Sequence, residues 1–370
     1  MKRILVLALL IVVSVTAVFA NGGSDSAASD KIVIGALIRN TDEQFVADYA
    51  DVLKKLAADA GVTLKLQDSR GDMAAQLDQM NTLLMQGVQH FVIISNQTEA
   101  TEDMARAIQA KGGSAAFSNI QPSVEALKVG PNFFLASSPE SVAGQIQAEI
   151  IDDYFKAHPE KMANGDPDAL DVVFILGQLG HPAQVNRTNA VKKGLEDAGY
   201  KLNIVAEDTA NWKPSEAQAK MDAWISAYGG KFDLVIANND GMALGAVESL
   251  ITNGYLDDPN DPSADVDGDG LVLSLPVIGV DATQVALKSM EEKKLFATVL
   301  QDAVGQATTA FELELMMATE GSAAGKTAGG IAPLSSPIDE APADDASVVG
   351  QCYLVPFKAV TQDNYKEFMN

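Results

Sequence analysis

Asp233-Leu-Val-Ile-Ala-Asn-Asn-Asp-Gly-Met-Ala-Leu-Gly-Ala-Val-Glu-Ser-Leu250 opens as a short apolar run rich in β-branched residues, turns through Asn238, Asn239 and Asp240, and continues with apolar residues at helical spacing. It reads as strand, turn and helix. In an open α/β sheet, ligands bind beyond the carboxyl ends of the strands, where such corners sit. Asn239 either points an amide, donor and acceptor together, into that crevice, or the corner residues cap the helix.

Outward from this unit the same alternation repeats. Toward the N-terminus, strands are expected over 32–38, 62–66, 91–94, 115–117 and 133–136, with helices over 45–60, 73–85 and 101–111. The helix over 45–60 places Phe45, Tyr49, Val52, Leu53 and Leu56 on one face and stops at Gly61. A long helix over 140–156 begins a second series, with strands over 172–176, 202–206, 234–237, 277–280 and 297–300 and helices over 184–198, 215–228, 242–253, 284–292 and 304–319. A last strand is expected over 353–355. Strands alternating with helices of this length imply parallel pairing and right-handed crossovers, hence an α/β fold of two similar units in tandem.

The 370 residues carry 26 basic and 50 acidic side chains, a formal charge of −24. So acidic a chain argues against nucleic acid and anionic membrane as partners. Three histidines and one cysteine leave no Cys/His metal cluster and no internal disulfide; Cys352, in a β-like run, reads as a buried inert thiol. At the N-terminus, Met1-Lys2-Arg3, the apolar run 4–15 and a small-residue site ending at Ala20 form a secretory signal peptide over 1–20. Without those twenty residues the charge is −26, 24 basic against 50 acidic. Residues 21–30, rich in Gly, Ser and Ala, read as a flexible tether. No cysteine follows the cleavage site to take a lipid, so the expectation is an exported protein, free in the periplasm.

Three segments invite other readings. Gly321-Ser-Ala-Ala-Gly-Lys-Thr327 is one residue short of a phosphate loop and follows a helix, so it reads as a surface loop. The acidic stretch 339–345 reads as a solvated loop. Asp265-Val-Asp267-Gly-Asp269-Gly270 places carboxylates at positions one, three and five of a calcium loop and glycine at six, although Pro276 stands where the bidentate Glu belongs. Asp265, Asp267 and Asp269 are therefore candidate ligands for a structural calcium, against an exposed acidic insertion; no other cofactor is required.

Polar and aromatic residues gather just after strands: Glu43 and Phe45 after the first, Asn119, then His181 with Arg187, Trp212, Asn239, Asp281 and Gln301. Planar polar side chains supply paired donors and acceptors in fixed directions, as sugar hydroxyls need. The apolar C–H faces of a pyranose pack on flat rings such as Phe45 and Trp212. Each residue also has a plain structural alternative: Trp212 covering a helix end, His181 a turn residue, Asp281 a helix cap, Phe45 a core residue.

These stretches resemble the periplasmic galactose/glucose-binding proteins, sugar receptors of ABC importers. The resemblance is carried by Ile34-Gly35 with 42–45, Gly180-His181-Pro182 with Arg187, Asp208-Thr-Ala with Trp212, 220–224, 235–246, Gly279-Val-Asp-Ala282, 298–300 with Asp302, Val355-Pro-Phe357 and Asp363-Asn364. It implies a two-lobed type I binding fold, each lobe a doubly wound parallel sheet flanked by helices, joined by three crossing hinge segments near Ala136, Gln301 and Val355. The lobes expected are 31–136 plus 302–354 and 137–301 plus 355–370. It also implies a monomer rather than an enzyme, with a monosaccharide ligand and, as partners, a permease in the inner membrane and a chemoreceptor. Phe45 and Trp212 would sandwich the ring, with Asn119, His181, Arg187, Asn239 and Asp281 as the hydrogen-bonding shell. Three positions depart from the family's pattern. Glu43 replaces an aspartate that reads the hydroxyl separating glucose from galactose, Ala183 replaces an aspartate that would orient Arg187, and Gln301 replaces an asparagine. The family's calcium loop is also not recognisable at Asn164-Gly-Asp-Pro-Asp168. The expected ligand is a hexose, glucose or galactose, bound by hinge closure; a pentose, a signalling molecule or an exported sugar-processing enzyme using Glu43 or Asp281 are the rivals.

Overall fold

Apolar runs flanked by amphipathic helices give strands buried on both faces, and the chain builds two such sheets. The computed structural model describes residues 31–162, 168–229 and 231–369. The expected signal peptide and tether, residues 163–167 with most of the segment 164–168, Gly230 and Asn370 lie outside the described residues.

The first sheet contains β1 (Val33–Ile38), β2 (Thr63–Asp68), β3 (His90–Ile93), β4 (Ser114–Ser118), β5 (Phe133–Ser137) and, from the far end of the chain, β11 (Cys352–Leu354). All its pairs are parallel, in the order β2-β1-β3-β4-β5-β11. Helices α1 (Gln44–Asp59) and α10 (Ala303–Glu320) bury one face, with Tyr49, Leu53, Phe134 and Phe311 in the core between. On the other face lie α2 (Met73–Met85), α3 (Thr101–Gln109) and the short α4 (Val124–Lys128), around Phe91, Phe117 and Phe133.

The second sheet repeats the pattern. Strands β6 (Ala169–Leu176), β7 (Lys201–Thr209), β8 (Leu234–Ala237) and β9 (Val277–Ile278) are parallel in the order β7-β6-β8-β9. Single parallel bridges, Ile278 to Ala297 and Asp281 to Leu300, add β10 (Thr298–Leu300) at the edge, and β10 pairs antiparallel with β12 (Lys358–Val360). Helices α5 (Glu140–Ala157) and α6 (Pro182–Asp197) cover one face; α7 (Pro214–Tyr228), α8 (Asp240–Thr252) and α9 (Gln284–Glu291) cover the other.

Both sheets therefore have a topological switch point, between β1 and β3 and between β6 and β8, where loops part to opposite faces and leave a crevice. The chain passes between the sheets after β5, after β10 and after β11. The periodicity places the helices well, while α4 and β12 were not expected; five and three residues long, they are too short to carry a period. No described helix is long and apolar enough to cross a membrane.

Cys352 is fully buried, and that burial pushes its thiol up to about 12, so it stays protonated and unreactive. The stretch 339–345 departs from its expected character: Glu340 is buried and accepts hydrogen bonds from Gln121, Glu140 and Ser141.

Candidate functional site

The carboxyl ends of both sets of strands open into one cavity of about 240 Å³. All nine residues singled out after the strands line it: Glu43, Phe45, Asn119, His181, Arg187, Trp212, Asn239, Asp281 and Gln301. Parallel sheets dictate this convergence, because every strand of a doubly wound sheet delivers its following loop to the same edge.

Arg187 is the centre of the arrangement. It projects from α6, is almost wholly buried, and donates from Nε to Glu140 Oε2 (2.7 Å), from one terminal nitrogen to the Asn238 carbonyl (2.7 Å) and from the other to Gln301 Oε1 (3.0 Å). Asp281 Oδ1 stands 3.9 Å from the guanidinium. Gln301 in turn donates to Glu140 Oε1 at 3.3 Å. Glu140 and Gln301 thus fix the orientation of Arg187. Burial raises the Glu140 and Asp281 carboxyls above their ordinary values and Arg187 opposes this; for Asp281 the shift is large, and the nearby Asp240, Glu140 and Glu43 add to it.

His181 caps α6 through Nδ1, which accepts from the Ala183 amide at 3.1 Å. Burial, joined by the Arg39 and Arg187 charges, holds the imidazole well below its usual value. The ring is therefore neutral at pH 7, and the accepting Nδ1 leaves Nε2–H as its donor. Its edge meets Trp212 in a T-shaped contact at 5.1 Å. Trp212 lies against Gly177, where any Cβ would overlap the indole ring, and its Nε1 has no hydrogen-bond partner although buried.

Asn239 fits both of its readings. Its Oδ1 caps α8 by accepting from Met242 N at 3.0 Å, and the residue also lines the cavity. Asn238 instead clamps the switch point, accepting from Gly177 N (2.9 Å) and donating to Thr188 Oγ1 (3.0 Å). Asp281 is not a helix cap; Thr283 caps α9.

Backbone strain concentrates here. Asn119, Trp212 and Asp281 have φ of 61°, 66° and 131°, conformations that cost a non-glycine residue about 1–3 kcal/mol and persist where the surroundings hold them.

Sequence reasoning passed over Arg39. It follows β1 directly, is 6% exposed, lines the cavity and donates to Glu43 Oε1 at 2.7 Å. The strand-end rule would have found it. Burial raises the Glu43 carboxyl, opposed by Arg39, so this carboxylate works as half of an ion pair. Asp208, also near a strand end, lies outside the cavity, paired with Lys220.

The calcium set needs correction. Asp257, Asp265 and Asp267 can bring carboxylate oxygens within 4.8 Å of one another, but Asp269 is not among them. Its Oδ2 accepts from Tyr154 Oη (2.7 Å) and pairs with Lys161 (2.7 Å). Lys161 also pairs with Asp267, and Lys293 with Asp265 at 3.1 Å. Lys161 and Lys293 thus compete with a cation for Asp265, Asp267 and Asp269, and the three converging carboxylates by themselves fall short of the six to eight oxygens that a calcium ion takes.

Residues 34–322 match the periplasmic binding protein domain family. The chain belongs to that family. Its similarity to the D-galactose/methyl-galactoside binding periplasmic protein of Haemophilus influenzae is 28% identity over 292 residues, 78% of this chain and 82% of that one. A putative rhizopine-binding protein of Rhizobium meliloti is 31% identical over 298 residues, 80% and 83% of the two chains. Among solved structures, an ABC transporter solute-binding protein from Bacillus halodurans with bound myo-inositol superposes with a TM-score of 0.70 at 26% identity, covering 93% of this chain and 99% of that chain. As a periplasmic binding protein the chain has the two-lobed type I fold, and its family holds solutes rather than transforming them. The charged groups of the cavity accordingly read as a recognition surface.

Proposed function

We propose that this binding protein is the exported receptor of an ABC sugar importer, holding one hexose, D-glucose or D-galactose, between the lobes 31–136 with 302–354 and 137–301 with 355–370. The observation that carries the reading is one cavity in which two nearly buried rings, Phe45 and Trp212, share the lining with Arg39, Glu43, Asn119, Arg187 and Asp281. Flat apolar surfaces suit the C–H faces of a ring, and the ionic and amide groups suit its hydroxyls. At about 240 Å³ the cavity lies below the ~300–1,000 Å³ of pockets for drug-sized ligands, in keeping with a single monosaccharide.

Contacts from both lobes stabilise the closed state over the open one, so ligand shifts the population, and a membrane permease reads the closed form. The protein is exported and monomeric in this reading, with a chemoreceptor as a further partner. A cyclic polyol is the second reading. The relative with bound myo-inositol supports it, and so does the pairing of Glu43 with Arg39, which changes the acceptor that would separate hexose epimers.

Calorimetric titration of the mature protein, stripped of carried-over ligand by unfolding and refolding, tests this with D-glucose, D-galactose, myo-inositol and D-ribose. Saturable one-to-one hexose binding supports the first reading. Tighter binding of myo-inositol moves the assignment to the polyol, and silence toward all four rejects the ligand class. New reducing ends from oligosaccharides would reject the receptor reading in favour of an enzyme.

A further inference from the structure

Helix α5 begins at a crossing between the sheets and has no cap of its own. Pro139 occupies its N-cap and offers no side-chain hydrogen bond. The missing acceptor comes from Glu340, two hundred residues later, in the loop that leads into β11. Its Oε1 accepts from Glu140 N (2.7 Å) and its Oε2 from Ser141 N (2.9 Å) and Ser141 Oγ (2.7 Å). A carboxylate at a helix N-terminus satisfies otherwise unpartnered amides and the helix dipole together. The same Oε1 accepts from Gln121 Nε2 at 3.0 Å, two residues beyond Asn119.

Both groups that Glu340 holds lead into the cavity. Glu140, fixed through its amide, uses its side chain to fix Arg187 and Gln301. Gln121 fixes the loop of Asn119, on the side of the first sheet. The two sides belong to different sheets: α5 packs on the second, with Gln147 bonded to the carbonyls of Ala237 and Gly279, whereas β11 and β4 belong to the first. Glu340 is 8% exposed, so water does not compete freely for its oxygens.

We propose that Glu340 is a positioning residue of the cleft, a clasp across the crossing segment that presets Arg187 from one side and Asn119 from the other and so sets the affinity of a site it does not touch. The affinity part rests on the ligand reading above; the positioning part does not.

Hydrogen exchange followed by mass spectrometry on the full mature chain without ligand separates the two, using E340A, with E340Q in reserve if that variant does not fold. Asp72→Ala is the control, since it strips an equivalent cap from α2 outside the cavity. The clasp requires faster exchange in E340A at 119–121 and 139–143 and also in α6 around Arg187, which Glu340 does not contact, with α6 unchanged in Asp72→Ala. Faster exchange confined to 119–121 and 139–143 would reduce Glu340 to a local cap and overturn the proposal. Titration with D-glucose and myo-inositol adds a second readout: whichever binds the parent protein binds E340A roughly tenfold more weakly, the cost of lost preorganisation, and Asp72→Ala normally. Unchanged affinity in E340A also overturns the proposal. If these two, D-galactose and D-ribose all fail to bind the parent protein, the ligand reading fails while the exchange at α6 still decides the clasp.

Discussion

On the side of the second sheet, the groups that face the cavity are held from several elements at once: Arg187 by α5, the β8 loop and the last crossing before α10, Trp212 by Gly177 and His181, Asn239 by the helix it caps. On the side of the first sheet, apart from the Asn119 loop that Gln121 ties to Glu340, the holding is local. Glu43 pairs with Arg39 four residues away, and Phe45 sits on α1 beside Tyr49. The contrast suggests a division of labour, with the second lobe presenting a preset receiving surface and the first closing over it. A preset surface costs less to order on binding, so the energetic weight of the site should lie with the second lobe.

The sharpest break in that comparison comes from Arg187→Ala. It leaves Glu140 and Asp281 buried without their cation, a situation that costs about 3–5 kcal/mol. Denaturant unfolding should show a loss of that size together with abolished binding. Asn119→Ala, its counterpart across the cavity, replaces an asparagine, which tolerates the left-handed region, by alanine at φ 61° and should cost only about 1–2 kcal/mol. Equal losses would mean that the two lobes are organised alike.

Next come the two rings. Trp212→Ala should weaken binding by about 2–4 kcal/mol, the range of a buried aromatic anchor, and Phe45→Ala by about half as much, read by calorimetry with whichever sugar binds. Gly177→Ala sharpens the test because it leaves the indole in place chemically but takes away its seat. If the seat matters, Gly177→Ala approaches the loss in Trp212→Ala. If only the ring's area matters, it binds like the parent protein.

The strand-end set was legible because a doubly wound sheet brings every strand's following loop to one edge, whatever the sequence between. Asn239, Asp281 and Trp212 could be chosen from local pattern alone. What escaped depends on partners remote in the chain. Glu340 looked like one acid in a solvated stretch because its partners, Gln121, Glu140 and Ser141, are 199 to 219 residues away. Asp269 looked like a calcium ligand because the Tyr154 hydroxyl that claims it lies 115 residues earlier. Local spacing selects residue types, whereas long-range packing decides which oxygens are still unoccupied.

Each lobe also buries an acid beneath its sheet, and their bonding differs. Asp240 in the second lobe accepts from Thr298 Oγ1 (2.6 Å) and Thr283 N (2.8 Å), and burial brings it to about 6. Glu314 in the first accepts from Ser114 Oγ (2.5 Å) and Phe91 N (3.2 Å) through one oxygen, while Oε1 has no partner, and burial lifts it well above its ordinary value. A carboxyl raised on folding binds its proton more readily in the native state, so its stabilising effect is full below the unfolded value near 4 and is lost as pH rises through the native one. Tm should therefore be higher at pH 5.5 than at pH 7.5. Glu314→Gln removes the charge of the less satisfied acid. It should raise Tm at pH 7.5 by ~2–4 °C, the equivalent of about 1 kcal/mol in a domain of this size, and flatten the pH slope more than Asp240→Asn does. The reverse ranking would place the costlier acid in the second lobe.

The smallest effect is expected at the acidic loop 257–270, where Asp265, Asp267 and Asp269, like the carboxylates around Arg187, are paired with cations of the protein itself. In the cleft the central cation, Arg187, is fixed by several bonds; in the loop the cations are Lys161 and Lys293, the second of them 48% exposed. Millimolar calcium must displace both ammonium groups and turn Asp269 from Tyr154 before it gathers enough oxygens, so calcium or its chelation should shift Tm by less than about 1 °C, within the reach of small surface effects. Removing the competitors with Lys161→Met and Lys293→Met leaves Asp265 and Asp267, which converge with Asp257, without their cations, and calcium should then raise Tm by an amount that grows with its concentration, as for any ligand that binds only the folded state. A parent protein that already responds to calcium would show that the lysines are displaceable. Ion pairs of the loop and of the cleft would then differ in kind, one set exchangeable and the other fixed.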